Sequence, residues 1–243
     1  MRRILIASAI FAGISASATA AVPGANIKVA GDVKPPTCKV NGGAQADLVY
    51  NLGVVSPALI PEDNAGYNGF PAVSNTLNVV CDAATYLTFK ATDTYSNPFV
   101  QGPGMNINFR AHAFNLVDAS APEKTVGGVS FMWTDVKVDG RNAYISRAND
   151  GQNDNGAWSW PVWIIKAATS GWTKTQQSYV APAELDLIAG KEFSANITTF
   201  NINAYGYALQ YLLPKSELKK QGVDLTKPVN FTGNVLMTFN FGI

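Results

Sequence analysis

Apolar residues fall on every second position through most of this chain, and almost nowhere at helical spacing. In NTLNVVCDAATYLTFKATD (75–93), Leu77, Val79 and Cys81 share one face, and after Asp82-Ala83-Ala84 the pattern restarts with Leu87, Phe89 and Ala91. Such alternation puts apolar side chains on one face of a pleated ribbon, so the segment predicts two half-buried strands joined by a tight turn. GGVSFMWTDVKVDGRNAYIS (127–146) repeats the pattern through Val129, Phe131 and Trp133, then Val136 and Val138, before Asp139-Gly140, a strong hairpin signal. TTFNINAYGYALQYLLP (198–214) and VNFTGNVLMTFNFGI (229–243) read in the same way. Leu213 to Gln221 looks helical and is stopped by Gly222, which predicts one short connecting helix near 214–221. Strands about ten residues apart, punctuated by Gly, Pro and Asn, predict an all-β sandwich with looser insertions around 95–125 and 147–180.

The first residues do not fit that pattern. Met1-Arg2-Arg3 is positive, Ile4 to Ile14 is apolar, and Ser17-Ala18-Thr19-Ala20 is small. This is the form of a secretory signal, residues 1–20, cleaved after Ala20. Its apolar run is shorter than the roughly 20 residues of a spanning helix, and no later run reaches that length, so Sec export without membrane insertion is expected. A net charge of +1 with 14% charged residues offers no basic face for nucleic acid. Cys38 and Cys81 are the only cysteines. An exported chain with an even count pairs them, and the Cys38–Cys81 disulfide is the expected fastening.

Chemistry is hard to find. The single histidine, His112, lies in the alternating stretch Arg110-Ala111-His112-Ala113-Phe114, where a solvent-facing strand residue or a satisfied polar group is the simplest reading. Motifs for an activated serine, a zinc protease, a phosphate loop or a dinucleotide are missing, so no enzyme, no cofactor and no metal are expected. Five tryptophans lie between 133 and 172, with Trp158, Trp160 and Trp163 in GAWSWPVWIIKA. Large rings fill cores or cover edges; the alternative is a platform on which sugar rings stack.

Residues 25–38, ANIKVAGDVKPPTC, carry a resemblance. The order apolar-x-apolar-x-Gly-x-apolar leading to a cysteine (Ile27, Val29, Gly31, Val33, Cys38) is followed by a short strand, aromatic-x-Leu-Gly-x-Val (Tyr50, Leu52, Gly53, Val55). Then come Leu77, Val79 and Cys81, and a final alternating strand holds Gly233, Val235, Met237, Phe239 and Phe241. In these features the chain resembles subunits of chaperone-usher fimbriae.

The resemblance implies an immunoglobulin-like, pilin-type sandwich over 21–243 that lacks its final strand. A periplasmic chaperone would fill the gap, and at the outer-membrane usher the extension of the next fimbrial subunit would replace it. Residues 21–33, with Ile27, Val29, Gly31 and Val33, would be the donor segment and the start of the first strand, whose end the disulfide would fasten. Val235, Met237, Phe239 and Phe241 would line the acceptor groove and contact the chaperone. The function implied is a structural subunit of a surface fibre, found in the periplasm and then at the cell surface. The alternative is a carbohydrate-binding adhesin or periplasmic binding module that takes a host or surface glycan on the tryptophan region 158–172.

Overall fold

In the computed structural model the alternating segments become strands, and the breaks in the pattern decide which sheet each one joins. The structure describes residues 27–31, 34–63, 66–101, 107–151, 162–199 and 210–241, without the side chains of 108 and 109. In chain order the strands are β1 (Cys38–Val40), β2 (Ser74–Thr85), β3 (Leu87–Asp93), β4 (Phe114–Asp118), β5 (Ala121–Val129), β6 (Phe131–Val138) and β7 (Arg141–Asn142). They continue with β8 (Tyr144–Ala148), β9 (Ser170–Thr173), β10 (Ser178–Val180), β11 (Gly190–Thr199) and β12 (Tyr211–Leu212). Helix α1 (Lys215–Lys220) precedes β13 (Phe231–Thr232) and β14 (Val235–Phe241).

These strands form three sheets, ordered β1-β2-β11-β6-β7, β10-β8-β9-β3-β14 and β12-β5-β4-β13. The fold is an all-β sandwich with one short helix. Two of its features differ from the reading of the sequence. The run 75–93 does yield two strands, but β2 continues through Asp82-Ala83-Ala84 and the chain turns only at Tyr86, passing from the first sheet into the second. The stretches 95–125 and 147–180 are not loose throughout: among their described residues, β4 and the start of β5 join the third sheet, and β9 and β10 join the second.

The core forms where aromatic rings from the first two sheets meet. Phe89 of β3 sets its edge against Trp133 of β6 at 6.4 Å and Trp172 of β9 at 5.7 Å, and Trp172 meets Phe193 of β11 at 5.5 Å. Leu77, Val79 and Ile197 bury beside them, each contributing about 1.5–3 kcal/mol through apolar area removed from water. The third sheet joins through Phe114, whose ring lies 5.8 Å from that of Phe131.

Local signals act as physical chemistry requires. Asp139 (φ 48°) and Gly140 (φ 74°) both take the left-handed conformation that a two-residue turn between twisted antiparallel strands demands, and β6 pairs with β7 across them. Helix α1 buries Leu218. It stops at Gly222 (φ 74°), where the Val223 and Gly222 N–H groups donate to the carbonyls of Leu218 and Lys219, the double bond that ends a helix on a left-handed residue.

Cys38 and Cys81 form a disulfide, 43 residues apart in sequence, at directly paired positions of β1 and β2. Closing a loop of that size removes unfolded-state entropy worth about 4 kcal/mol. The bond sits at the first residue of β1, not at the end of a strand begun upstream, and the described stretch 27–31 forms no strand. Pro35 and Pro36 lack the N–H donors that a ladder would need there. The chain divides at this point, and Pro35–Ile243 forms a compact unit of its own.

Candidate functional site

β14 ends the second sheet. It pairs antiparallel with β3 from Val235↔Asp93 to Phe241↔Leu87, and among the described residues no strand covers its other side. The Asn234 carbonyl accepts from the Thr94 N–H at 3.0 Å, which sets the parity of the ladder. Positions 236, 238 and 240 therefore bond to β3, and the peptide groups of Val235, Met237, Phe239 and Phe241 point to the free side. The side chains of Val235, Met237 and Phe239 turn inward and are partly buried, whereas Leu236, Thr238 and Asn240 are exposed.

Residues 44–56 lie opposite. Ala46, Leu48, Tyr50 and Leu52 turn toward the core while Asp47, Val49 and Asn51 face water, the alternation of a strand. The sequence pattern Tyr50, Leu52, Gly53, Val55 predicted a strand here, yet residues 44–55 make no backbone-to-backbone hydrogen bond among the described residues and belong to no sheet. Side chains hold the segment instead. The Tyr50 hydroxyl donates to the Ile197 carbonyl at 3.1 Å, its ring lies 5.1 Å from Phe131, and Asn75 Nδ2 donates to the Val49 carbonyl at 3.0 Å. Burial raises the Tyr50 pKa well above its ordinary value, so the phenol stays neutral.

Between these two walls runs a groove of about 1320 Å³. Its apolar lining includes Leu77, Ala91, Leu116, Val129, Phe131 and Ile197, with Leu218 and Val223. The charged residues of its lining are Asp47 and Lys227, both exposed. A trough with an apolar lining and unladdered backbone along both walls is suited to holding an extended chain.

The other residues singled out in the sequence fall elsewhere. Phe241 is half-exposed and lies outside the groove lining. Ile27 and Val29 are exposed, Gly31 has no neighbour within 4 Å of an added Cβ, and Val33 lies outside the described residues. Trp158 and Trp160 also lie outside them. Trp163 is buried beneath Phe99 and Met132, so it offers no face to a sugar.

Of the two readings of His112, the structure gives the buried polar group and not the solvent-facing strand residue. His112 packs on Trp163 with ring centroids 4.4 Å apart, and its Nδ1 is 3.5 Å from Ser130 Oγ. Burial, then the nearby charges of Arg147 and Lys166, push its pKa down to about 3, so the ring is neutral near pH 7. The reading of the sequence missed the 44–56 wall as a functional element. Its signal was present in the alternation Ala46, Leu48, Tyr50, Leu52. No protein-family model matches this chain, and comparison with curated proteins finds no relative of it.

Proposed function

We propose that this chain is a structural, non-enzymatic subunit of a fimbria or fimbria-like surface fibre, assembled by strand donation. One observation carries the reading. A regular seven-residue edge strand, β14, turns peptide groups that no described strand pairs, and the side chains of Val235, Met237 and Phe239, toward an apolar groove. An empty edge of that kind templates aggregation. A strand laid along it would bond to β14 with its backbone and fill the groove with alternate side chains, and the 44–56 wall would supply a second edge.

On this reading the chain is exported by the Sec route, met in the periplasm by a chaperone that lends a strand, and passed through an outer-membrane usher to other fimbrial subunits. Residues 21–33 supply the donor segment. The test is to produce the chain with and without a periplasmic chaperone of this type. The expected outcome is a soluble 1:1 complex in its presence and oligomers or aggregate in its absence. A stable monomer that takes up no strand overturns the proposal.

A further inference from the structure

Endopeptidases bind six to eight residues in extended form with the peptide groups free, so a folded chain is cut where such a stretch already exists or opens at little cost. Most strands of this molecule would have to leave a ladder first. Residues 45–55 would not, because among the described residues they have no ladder to leave. Freeing them breaks the Tyr50 and Asn75 side-chain bonds and exposes Tyr50 and Leu52. Their outward side chains include Val49 at 74% exposure and Val54 at 99%.

We propose that residues 45–55 are a built-in proteolytic site, open to an endopeptidase that prefers small aliphatic residues while the groove is empty and closed when a strand fills it. In the cut, water adds across one peptide bond, for example Val54–Val55. The C–N bond breaks, the water oxygen stays on a Val54 carboxylate and both its protons end on a Val55 ammonium group, with no other reactant needed. The cut destroys one wall of the groove and so removes the chain irreversibly from assembly. Cys38 lies before the cut and Cys81 after it, so the disulfide keeps the two pieces joined. Closure of the site rests on the strand-acceptor reading, because only an occupant of the groove would give residues 45–55 a ladder. The location of the site does not depend on that reading.

The test is digestion of the full chain by pancreatic elastase, with cut sites mapped by mass spectrometry. In the free chain the first cut downstream of Pro35 is expected within 45–55, at least about tenfold faster than the next. The product should run as one species until reduced. A first cut elsewhere downstream of Pro35, or pieces that separate without reduction, overturns the site. The Val54→Lys variant, altered where the side chain is fully exposed, should be cut by trypsin at position 54 before any other site downstream of Pro35; slower cutting there also overturns it. In the chaperone complex the elastase cut should slow at least about tenfold. Equal rates in free and complexed chain would overturn the closure of the site by a strand while leaving its location standing, and failure to form the complex would overturn the strand-acceptor reading alone.

Discussion

The second sheet has two edges, and they are built oppositely. β10 is three residues long, runs parallel to β8, and changes register between Ser178 and Val180 around Tyr179, whose φ of 61° forces a bulge. Beyond it the Ala181 N–H is taken by the Glu184 carboxylate at 3.0 Å, and Pro182 follows. Shortness, a bulge and a proline are the devices by which folded proteins blunt an exposed edge. β14 has none of them: Val-Leu-Met-Thr-Phe-Asn-Phe is seven residues long, in continuous register, and free of charge and proline. One sheet therefore carries a defended edge and an undefended one. The open edge of β14 is a local property of that strand.

The sharpest way to break the comparison is to put a charge on each edge in turn. Phe239→Asp places a carboxylate in the groove wall, where an incoming strand would leave it without water, at a cost of several kcal/mol. Strand or chaperone affinity is expected to fall at least about 100-fold by titration calorimetry. Tyr179→Asp on β10 should leave it unchanged. Equal losses in the two variants would mean that the edges do not differ in function.

Acid should also separate the two ends of the sheet. His112 packs on Trp163 and faces Arg147 of β8, the strand that carries β10, whereas β14 has no ionisable side chain. Unfolded, the imidazole binds a proton near pH 6.5; folded, it does so only near 3. The unfolded chain therefore holds more protons between those values, and stability falls as pH drops, by up to about 1.4 kcal/mol per unit. Chemical denaturation from pH 7 to 4 should show that slope, and His112→Gln should flatten it. An unchanged slope in the variant would remove His112 as its source.

The smallest effect belongs to the bulge itself. Tyr179→Gly relieves a left-handed conformation that costs a side chain about 1 kcal/mol, so the denaturation midpoint should rise slightly while strand uptake stays the same. A fall in the midpoint would show that the Tyr179 ring is more than a by-product of the bulge.

Reading the sequence succeeded where one face of a strand is buried and the other is wet. β2 and β14 alternate in burial, and their inward residues Leu77, Val79, Met237 and Phe239 were visible in the chain. The hairpin at Asp139-Gly140 and the helix stop at Gly222 were legible because each needs a left-handed backbone. β4 was not, since all five of its residues are buried and two of them are polar. Asn115 is satisfied by the Asp93 carboxylate and the carbonyls of Tyr95 and Asn97, and Asp118 by Ser120; those partners come from the fold and leave no trace in local spacing. β8 hides in the same way, with Ser146 bonded to Thr173 and Arg147 to the Trp163 carbonyl. Alternation marked β14 as a half-buried strand, but only tertiary structure shows that three of its residues line a groove shared with residues 44–56, which have no ladder of their own among the described residues.

The disulfide also decides how the molecule would answer a mechanical pull. Tension applied ahead of Cys38 crosses covalently to Cys81, within a strand held by β11 from Ser74 to Thr85. That load meets many hydrogen bonds of the ladder in shear, so they must fail together. Residues 44–56 hang in the slack loop behind the crossing, and the trough they border would feel almost none of the strain.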